Sequence, residues 1–414
     1  MDAPPVGPFG PRQAAERVVR PRRRLRSGLA QLLGIAVGVG LGWALPRIDS
    51  GLQVSSARTI EVCAAIGVSI LGVTTLIFSL LFLVVQWAAS TFSPRLSLLR
   101  TDPAVWRLFA FAVGLLTFTV TTTLAIGSRP KVSVAVPATA LAATVIALGL
   151  MRNVQFKALR SILLAHVLAT TAEQARGVLD MFYPPTDHPG DSGTRSARTV
   201  LPAVRSTVVW PKQTVALEQV DLRRLVATAG RADVTVVLRV RIGATLQRGD
   251  PVADVRGGEL GSEQVTSAFV TGHEPTAHQD PLHSFRLLAD IGLRALSPAV
   301  NDPATAVEVL DTMDGMLSRL ATAQLDAASV PDEHGTVRVV LCLPSWTQFL
   351  RICLDDLCRA ASNSPMVLLR ARDLLNGLLA TASPDRRSPV SARLQWVEQQ
   401  LAERHPPFVR DPMP

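Results

Sequence analysis

His273, His278 and His283, with Glu274 and Asp280 among them, are residue types that ligate metals or move protons. Their five-residue spacing does not bring them onto one helix face, and Pro275 and Pro281 interrupt the segment, so a metal centre is not expected. Asp280-Pro281 reads instead as a helix N-cap followed by proline at the first helical position. The same grammar recurs at Asn301-Asp302-Pro303, and Ser297-Pro298 ends the helix before it. Between those breaks Arg286, Asp290 and Arg294 stand at i, i+4 and i+8. Such a charge ladder is either an exposed stripe of little energetic value or a partly buried network that orients the helix or binds an anion.

No Ser/His/Asp or Cys/His arrangement stands out, and neither G-x-x-x-x-G-K nor a dinucleotide fingerprint occurs, so neither an enzyme nor a cofactor is expected. Val240 to Val255 is patterned like half of a lipoyl- or biotinyl-type barrel, with Gly243 and Gly249 at its tight turns. The lysine of a carrier hairpin is missing from the Arg256-Gly-Gly-Glu that follows, which points to a structural β module. The four cysteines, at positions 63, 342, 353 and 358, form no C-x-x-C pair and suit a reducing cytosol.

A second set of polar residues lies in strongly apolar surroundings. Thr75, Ser79 and Gln86 share one face of a hydrophobic helix, and Thr117 and Thr121 belong to a threonine-rich run in the next. Stripes of this kind line a water-filled path or make hydrogen bonds between helices. No Asp, Glu, Lys or Arg falls in mid-span, which argues against ion-coupled transport. Gly34, Gly38 and Gly42 recur every four residues and form a flat face for close helix approach, either within one bundle or between copies of the chain.

The elements that must position these groups divide the 414 residues unevenly. Apolar residues crowd the first 151 positions, and most charged ones follow, so the overall mean hydropathy of +0.28 conceals two different solvents. Residues 1–26 form a disordered basic tail, and 27–151 a transmembrane domain with spans at about 28–45, 60–87, 106–126 and 136–151. The length of the first apolar run and the spans after it favour a retained anchor over a signal peptide. An amphipathic connecting helix at 152–183, a linker at 184–199, a small β-rich module at 200–258 and a mainly helical domain at 259–407 complete the chain. The expected fold is therefore a membrane α-helical bundle of four transmembrane helices plus a cytoplasmic α+β region. Seven arginines between Arg12 and Arg26 place both termini on the cytoplasmic side of the plasma membrane by the positive-inside rule. The net charge of +9 comes with no recognition motif, so nucleic acid is not an expected partner.

Two segments carry a resemblance. The first is Phe78 to Leu99, with Thr91-Phe-Ser93-Pro94-Arg95-Leu96 after a long apolar helix, and the second runs from Gln279 to Ala306. Together they resemble a bacterial family of predicted membrane proteins known as DUF2254, over most of the chain from about residue 28. Trp210-Pro211 stands where the family pattern has a Gly-Tyr pair. The resemblance implies a plasma-membrane protein and brings no established activity. It directs attention to Ser93, Pro94 and Arg95, and to Asp280, Arg286, Asp290, Arg294, Ser297, Pro298, Asn301, Asp302 and Pro303. The expected role is an oligomeric, channel-like membrane protein with a cytoplasmic regulatory domain. The alternative is a non-conducting anchor whose cytoplasmic domain binds a partner or ligand. Expected partners are the lipid bilayer and further copies of the chain, with no small-molecule substrate identified.

Overall fold

A computed structural model describes residues 23–48, 52–91, 103–161, 163–183, 201–272, 279–323, 325 and 329–405. Ser93, Pro94 and Arg95, and also His273, Glu274 and His278, lie outside the described residues. The chain falls into two units, one over residues 20–167 and one from 168 onward.

The first unit is built from α1 (Arg23–Ala44), β1 (Gln53–Ser55), α2 (Ser56–Thr91), α3 (Pro103–Ile126), β2 (Lys131–Ser133) and α4 (Ala135–Ser161). All four helices are long and apolar enough to cross a membrane. Among the described residues of this unit, prolines near helices sit where helices tolerate them: Pro46 beyond α1, Pro103 at the start of α3 and Pro137 in the first turn of α4. The core follows a seven-residue rhythm, with Cys63, Ile70 and Ile77 on α2, Leu108 and Leu115 on α3, and Ala140, Ala147 and Val154 on α4. That period keeps one seam of each helix on its neighbours. Beyond α1 and α3 the connections meet: β1 and β2 pair antiparallel, Val54 opposite Val132.

α4 continues ten residues past the expected end at Met151, to Ser161. The single connecting helix expected at 152–183 is therefore two pieces, the end of α4 and a separate α5 (Leu164–Phe182). The amide of Leu163 bonds the carbonyl of Arg160, an i→i−3 bond that tightens and ends the turn without glycine or proline.

The second unit continues with β3 (Val204–Val209), β4 (Val215–Val220), α6 (Leu222–Arg231), β5 (Thr235–Leu238), β6 (Thr245–Leu246), β7 (Pro251–Arg256), α7 (Ser262–Thr266) and β8 (Phe269–Gly272). Then come α8 (His283–Ala295), α9 (Pro303–Thr322), β9 (Ser329–Pro331), β10 (Val337–Val340), α10 (Trp346–Leu350), α11 (Asp356–Ala360), α12 (Pro365–Thr381) and α13 (Pro384–Arg404). One sheet has the order β3-β7-β5-β10-β9 and the other β6-β4-β8. The strands of residues 204–256 thus complete their sheets only with β8, β9 and β10 from later in the chain. β6 and β7, read in sequence as neighbouring barrel strands, belong to different sheets.

Asp221 caps α6 through the Arg224 amide at 3.1 Å. Asp302 caps α9 by accepting from the Thr305 amide at 3.1 Å and the Thr305 hydroxyl at 2.6 Å, with Pro303 next in the helix, as its sequence grammar requires. Those Thr305 bonds hold the Asp302 carboxyl below the usual carboxylate range. Asp302→Ala is expected to cost about 1 kcal/mol, read as a lowered Tm of the detergent-solubilised protein, while Asp302→Asn retains most of it.

Candidate functional site

The Gln279–Ala306 segment is the meeting point of the second unit. Gln279 is fully buried, and its Oε1 accepts the Val220 amide at 2.9 Å, fastening the end of β4. Asp280 is equally enclosed. Its Oδ1 accepts the Leu282 amide and its Oδ2 accepts Arg286 Nη1, both at 2.9 Å. This corrects the N-cap expected of Asp280-Pro281: α8 starts at His283, and Leu282 occupies the cap position with no side-chain bond. The carboxylate folds into a turn of its own and is held by Arg286 in the first turn of α8. Burial nevertheless pushes the Asp280 carboxyl above its ordinary value, with Arg286 opposing the shift.

Arg286 therefore serves Asp280. Asp290 is engaged within the structure, and the Arg294 Nε is buried without a hydrogen-bond partner among the described residues. Ser297 to Asp302 form the turn between α8 and α9: the Asn301 amide bonds the Ser297 carbonyl at 2.9 Å, and Asn301 takes a φ of 49°. Pro298 is exposed there.

Three neighbours of Asp280 had little or no sequence signal. Gly243 has a φ of 84°, and a Cβ built on it would lie 2.0 Å from Asp280 Oδ2. The sequence marks Gly243 as a turn glycine but not as a wall against the carboxylate of Asp280, far along the chain. Gln279 has no spacing signature at all. Tyr183 is the chain's one tyrosine, which is the signal that could have found it. Its ring meets Phe349 edge-on at 5.9 Å, Phe349 meets Phe285 at 5.1 Å, and its hydroxyl donates to the Pro344 carbonyl. Burial, with the Asp280 charge adding to it, pushes the Tyr183 hydroxyl well up. The cavity here, between Arg241, Pro281 and Cys342, is only about 10 Å³, room for one water and no substrate. Cys353 and Cys358 are buried and unbridged, and burial pushes Cys358 up to about 12, so neither is a ready nucleophile. Among the described residues no cluster of His, Cys, Asp or Glu could hold a metal ion.

Gly243→Ala is expected to cost about 3 kcal/mol, roughly 1–2 from the left-handed backbone and the rest from contact with Asp280. Gly249→Ala, at a φ of 94° with nothing within 4 Å of the new Cβ, isolates the backbone part. Thermal unfolding of both full-length variants measures the difference, and equal losses would remove the role given to Asp280.

In the membrane unit the five polar candidates separate into two faces. Thr75 Oγ1 donates to the Leu71 carbonyl at 2.8 Å and Ser79 Oγ to the Thr75 carbonyl at 2.9 Å. Both line, with Thr74, a mainly apolar groove of about 440 Å³ that includes Ile70, Phe78, Phe82 and Phe109, and Gln86 is exposed further along α2. Thr117 and Thr121 lie instead against α1. A Cβ at Gly38 would come 2.3 Å from Thr117 Oγ1, and one at Gly42 would come 2.9 Å from Thr121 Cβ. Gly34 abuts the Ala110 carbonyl in the same way, so the Gly34, Gly38 and Gly42 face packs within the chain.

Comparison with known proteins finds a family and distant relatives. A sequence profile described as a predicted membrane protein, DUF2254, matches residues 27–377. Uncharacterised proteins of Mycobacterium bovis and Mycobacterium tuberculosis are each 25% identical over 394 residues, covering 88% of this chain and 74% of theirs. No solved structure matches the chain.

Proposed function

This chain belongs to the DUF2254 family of predicted membrane proteins, and we propose that it acts as a non-conducting, multi-pass anchor of the plasma membrane whose α+β unit binds a partner or ligand on the cytoplasmic side. The observation that carries this reading is the state of the membrane hydroxyls. Those of Thr75, Ser79, Thr117, Thr139 and Thr144 each donate to a carbonyl of their own helix, so these five need neither water nor a passing ion, whereas the buried Thr74 and Thr122 hydroxyls have no hydrogen-bond partner among the described residues. Seven arginines before α1 favour the cytoplasmic placement of both termini. The β3 edge of the larger sheet, which no other described strand pairs, favours binding. In β3 every residue but Val208 is exposed, and such an edge accepts an extended segment by backbone pairing. No catalysis is assigned to the chain.

Purified protein in planar bilayers is expected to pass no more current than protein-free bilayers under voltage or tension. Crosslinking in intact cells is expected to trap a hetero-partner through Val209. Unitary currents that Gln86→Leu alters would replace the anchor with a second reading, a homo-oligomeric channel-like protein. Two observations favour that rival: the exposed Gln86 amide, and the small buried share of the apolar windows, 11% in α1 and 22% in α2. Its path would run between protomers, and subunit counting by photobleaching would reveal it.

A further inference from the structure

The helices α1, α3 and α4 enclose a second lipid-facing groove of about 360 Å³. Its floor is the close contact of Gly34 and Gly38 with Gly114, where the missing side chains leave a furrow. Ala143 of α4 lines it, and Phe118 and Thr139 stand toward one end. Toward the other end is Arg107, exposed and in the second turn of α3. From Arg107 to Phe118 the helix advances about 17 Å, a little over half of a hydrocarbon core of about 30 Å. The furrow is thus about one leaflet deep with a guanidinium at its mouth.

The charge around that mouth is one-sided. α1, α3 and α4 contain no Asp or Glu. Arg152, Lys157 and Arg160, exposed on the last turns of α4, lie at the same end of the antiparallel pair α3 and α4 as Arg107. Asp102, which directly precedes α3, lies outside the described residues, and counting it leaves the excess positive. An arginine at the membrane surface beside an apolar furrow suits a molecule with a negative head and a long apolar tail.

We propose that this groove seats one acyl chain of an anionic phospholipid, whose phosphate is bound by Arg107. The site rests on membrane residence alone, so the presence or absence of current does not bear on it.

The test uses full-length protein, delipidated in detergent, titrated with dioleoyl phosphatidylglycerol or dioleoyl phosphatidylcholine and read by native mass spectrometry. Phosphatidylglycerol is expected to bind about fivefold more tightly, the usual effect of one cation on one anionic lipid. Arg107→Gln should remove most of the preference, leaving what Arg152, Lys157 and Arg160 contribute, and Arg107→Lys should keep it. Ala143→Phe, which fills the furrow, should weaken both. Glycerol phosphate should not displace the lipid, because it has no tail for the groove. An unchanged preference in Arg107→Gln overturns the proposal. So does unchanged binding in Ala143→Phe, displacement by glycerol phosphate, or a dimeric mass that carries no lipid.

Discussion

Gly38→Val should loosen α1 from α3 and lower the Tm of the detergent-solubilised protein by the largest margin of any single substitution in the membrane unit. A Cβ at Gly38 would lie 2.3 Å from the Gly114 carbonyl oxygen and 3.1 Å from the Phe118 amide nitrogen. These are backbone atoms, so no rotamer change relieves the overlap, and the helices must move apart. Lipid tails are as apolar as side chains, so helix association in a bilayer rests on close contact rather than on hydrophobic drive. α1 has little other contact to fall back on, with 11% of its apolar window buried. The penalty should reach about 3 kcal/mol, the upper end for overpacked sites. Gly40→Val is the control, since a Cβ there meets nothing within 4 Å. If Gly38→Val and Gly40→Val unfold alike, the glycine face does not hold α1 in place.

The second large effect concerns the Asp280–Arg286 pair, and it depends on pH. Arg286→Ala leaves the Asp280 carboxylate enclosed without its cation, at a cost of about 3 kcal/mol near neutral pH. This is the low end for a broken buried pair, because the Arg286 side chain is itself 32% exposed. Burial already raises the Asp280 carboxyl above its unfolded value while Arg286 is present. The folded chain therefore holds this proton more tightly than the unfolded chain. Its stability from Asp280 is greatest below the unfolded value and is lost as pH rises through the raised one. Removing Arg286 moves that raised value further up. The deficit of Arg286→Ala should accordingly shrink as pH falls toward the unfolded carboxyl value and grow as pH rises through the raised one, as Tm values for both proteins across a pH series would show. A deficit that does not change with pH would mean that the lost guanidinium mattered for packing and not for charge. Asp280→Asn in the Arg286→Ala background should restore part of the loss, since it removes the stranded charge.

The parts of this architecture that were legible in the sequence are those governed by local rules. The four spans announce themselves through hydropathy, and Asp302-Pro303 announces a helix start because capping involves residues three apart. Asp280-Pro281 has the same local grammar and a different outcome. The deciding partners, Arg286 and Gly243, act through folding of the chain, and Gly243 is remote in sequence. The Gly34, Gly38 and Gly42 stripe was readable as a packing face, but its partner was not: any helix with small residues in register would serve, and α3 supplies Ala110 and Gly114. The threonines of α3 and the polar residues of α2 read as one path only while the rotation of each helix is unknown. The break between α4 and α5 carries no glycine or proline at all. The β-rich stretch was recognised, whereas its completion by β8, β9 and β10 depends on pairing between distant strands that periodicity cannot register.

The short pairing of β1 with β2 has a mechanical meaning for the membrane unit. β1 runs straight into α2, and β2 is separated from α4 by one residue, so the ladder joins the starting ends of both helices. The amide of Val134 reaches the Leu52 carbonyl and that of Ser56 the Pro130 carbonyl, which closes both sides of the join. Axial sliding of α2 past α4 would break these attachments together, whereas a spreading of their far ends breaks none of them. The unit behaves as tweezers riveted at one tip: its compliant coordinate is the opening at the opposite membrane face, where α1 and α3 begin.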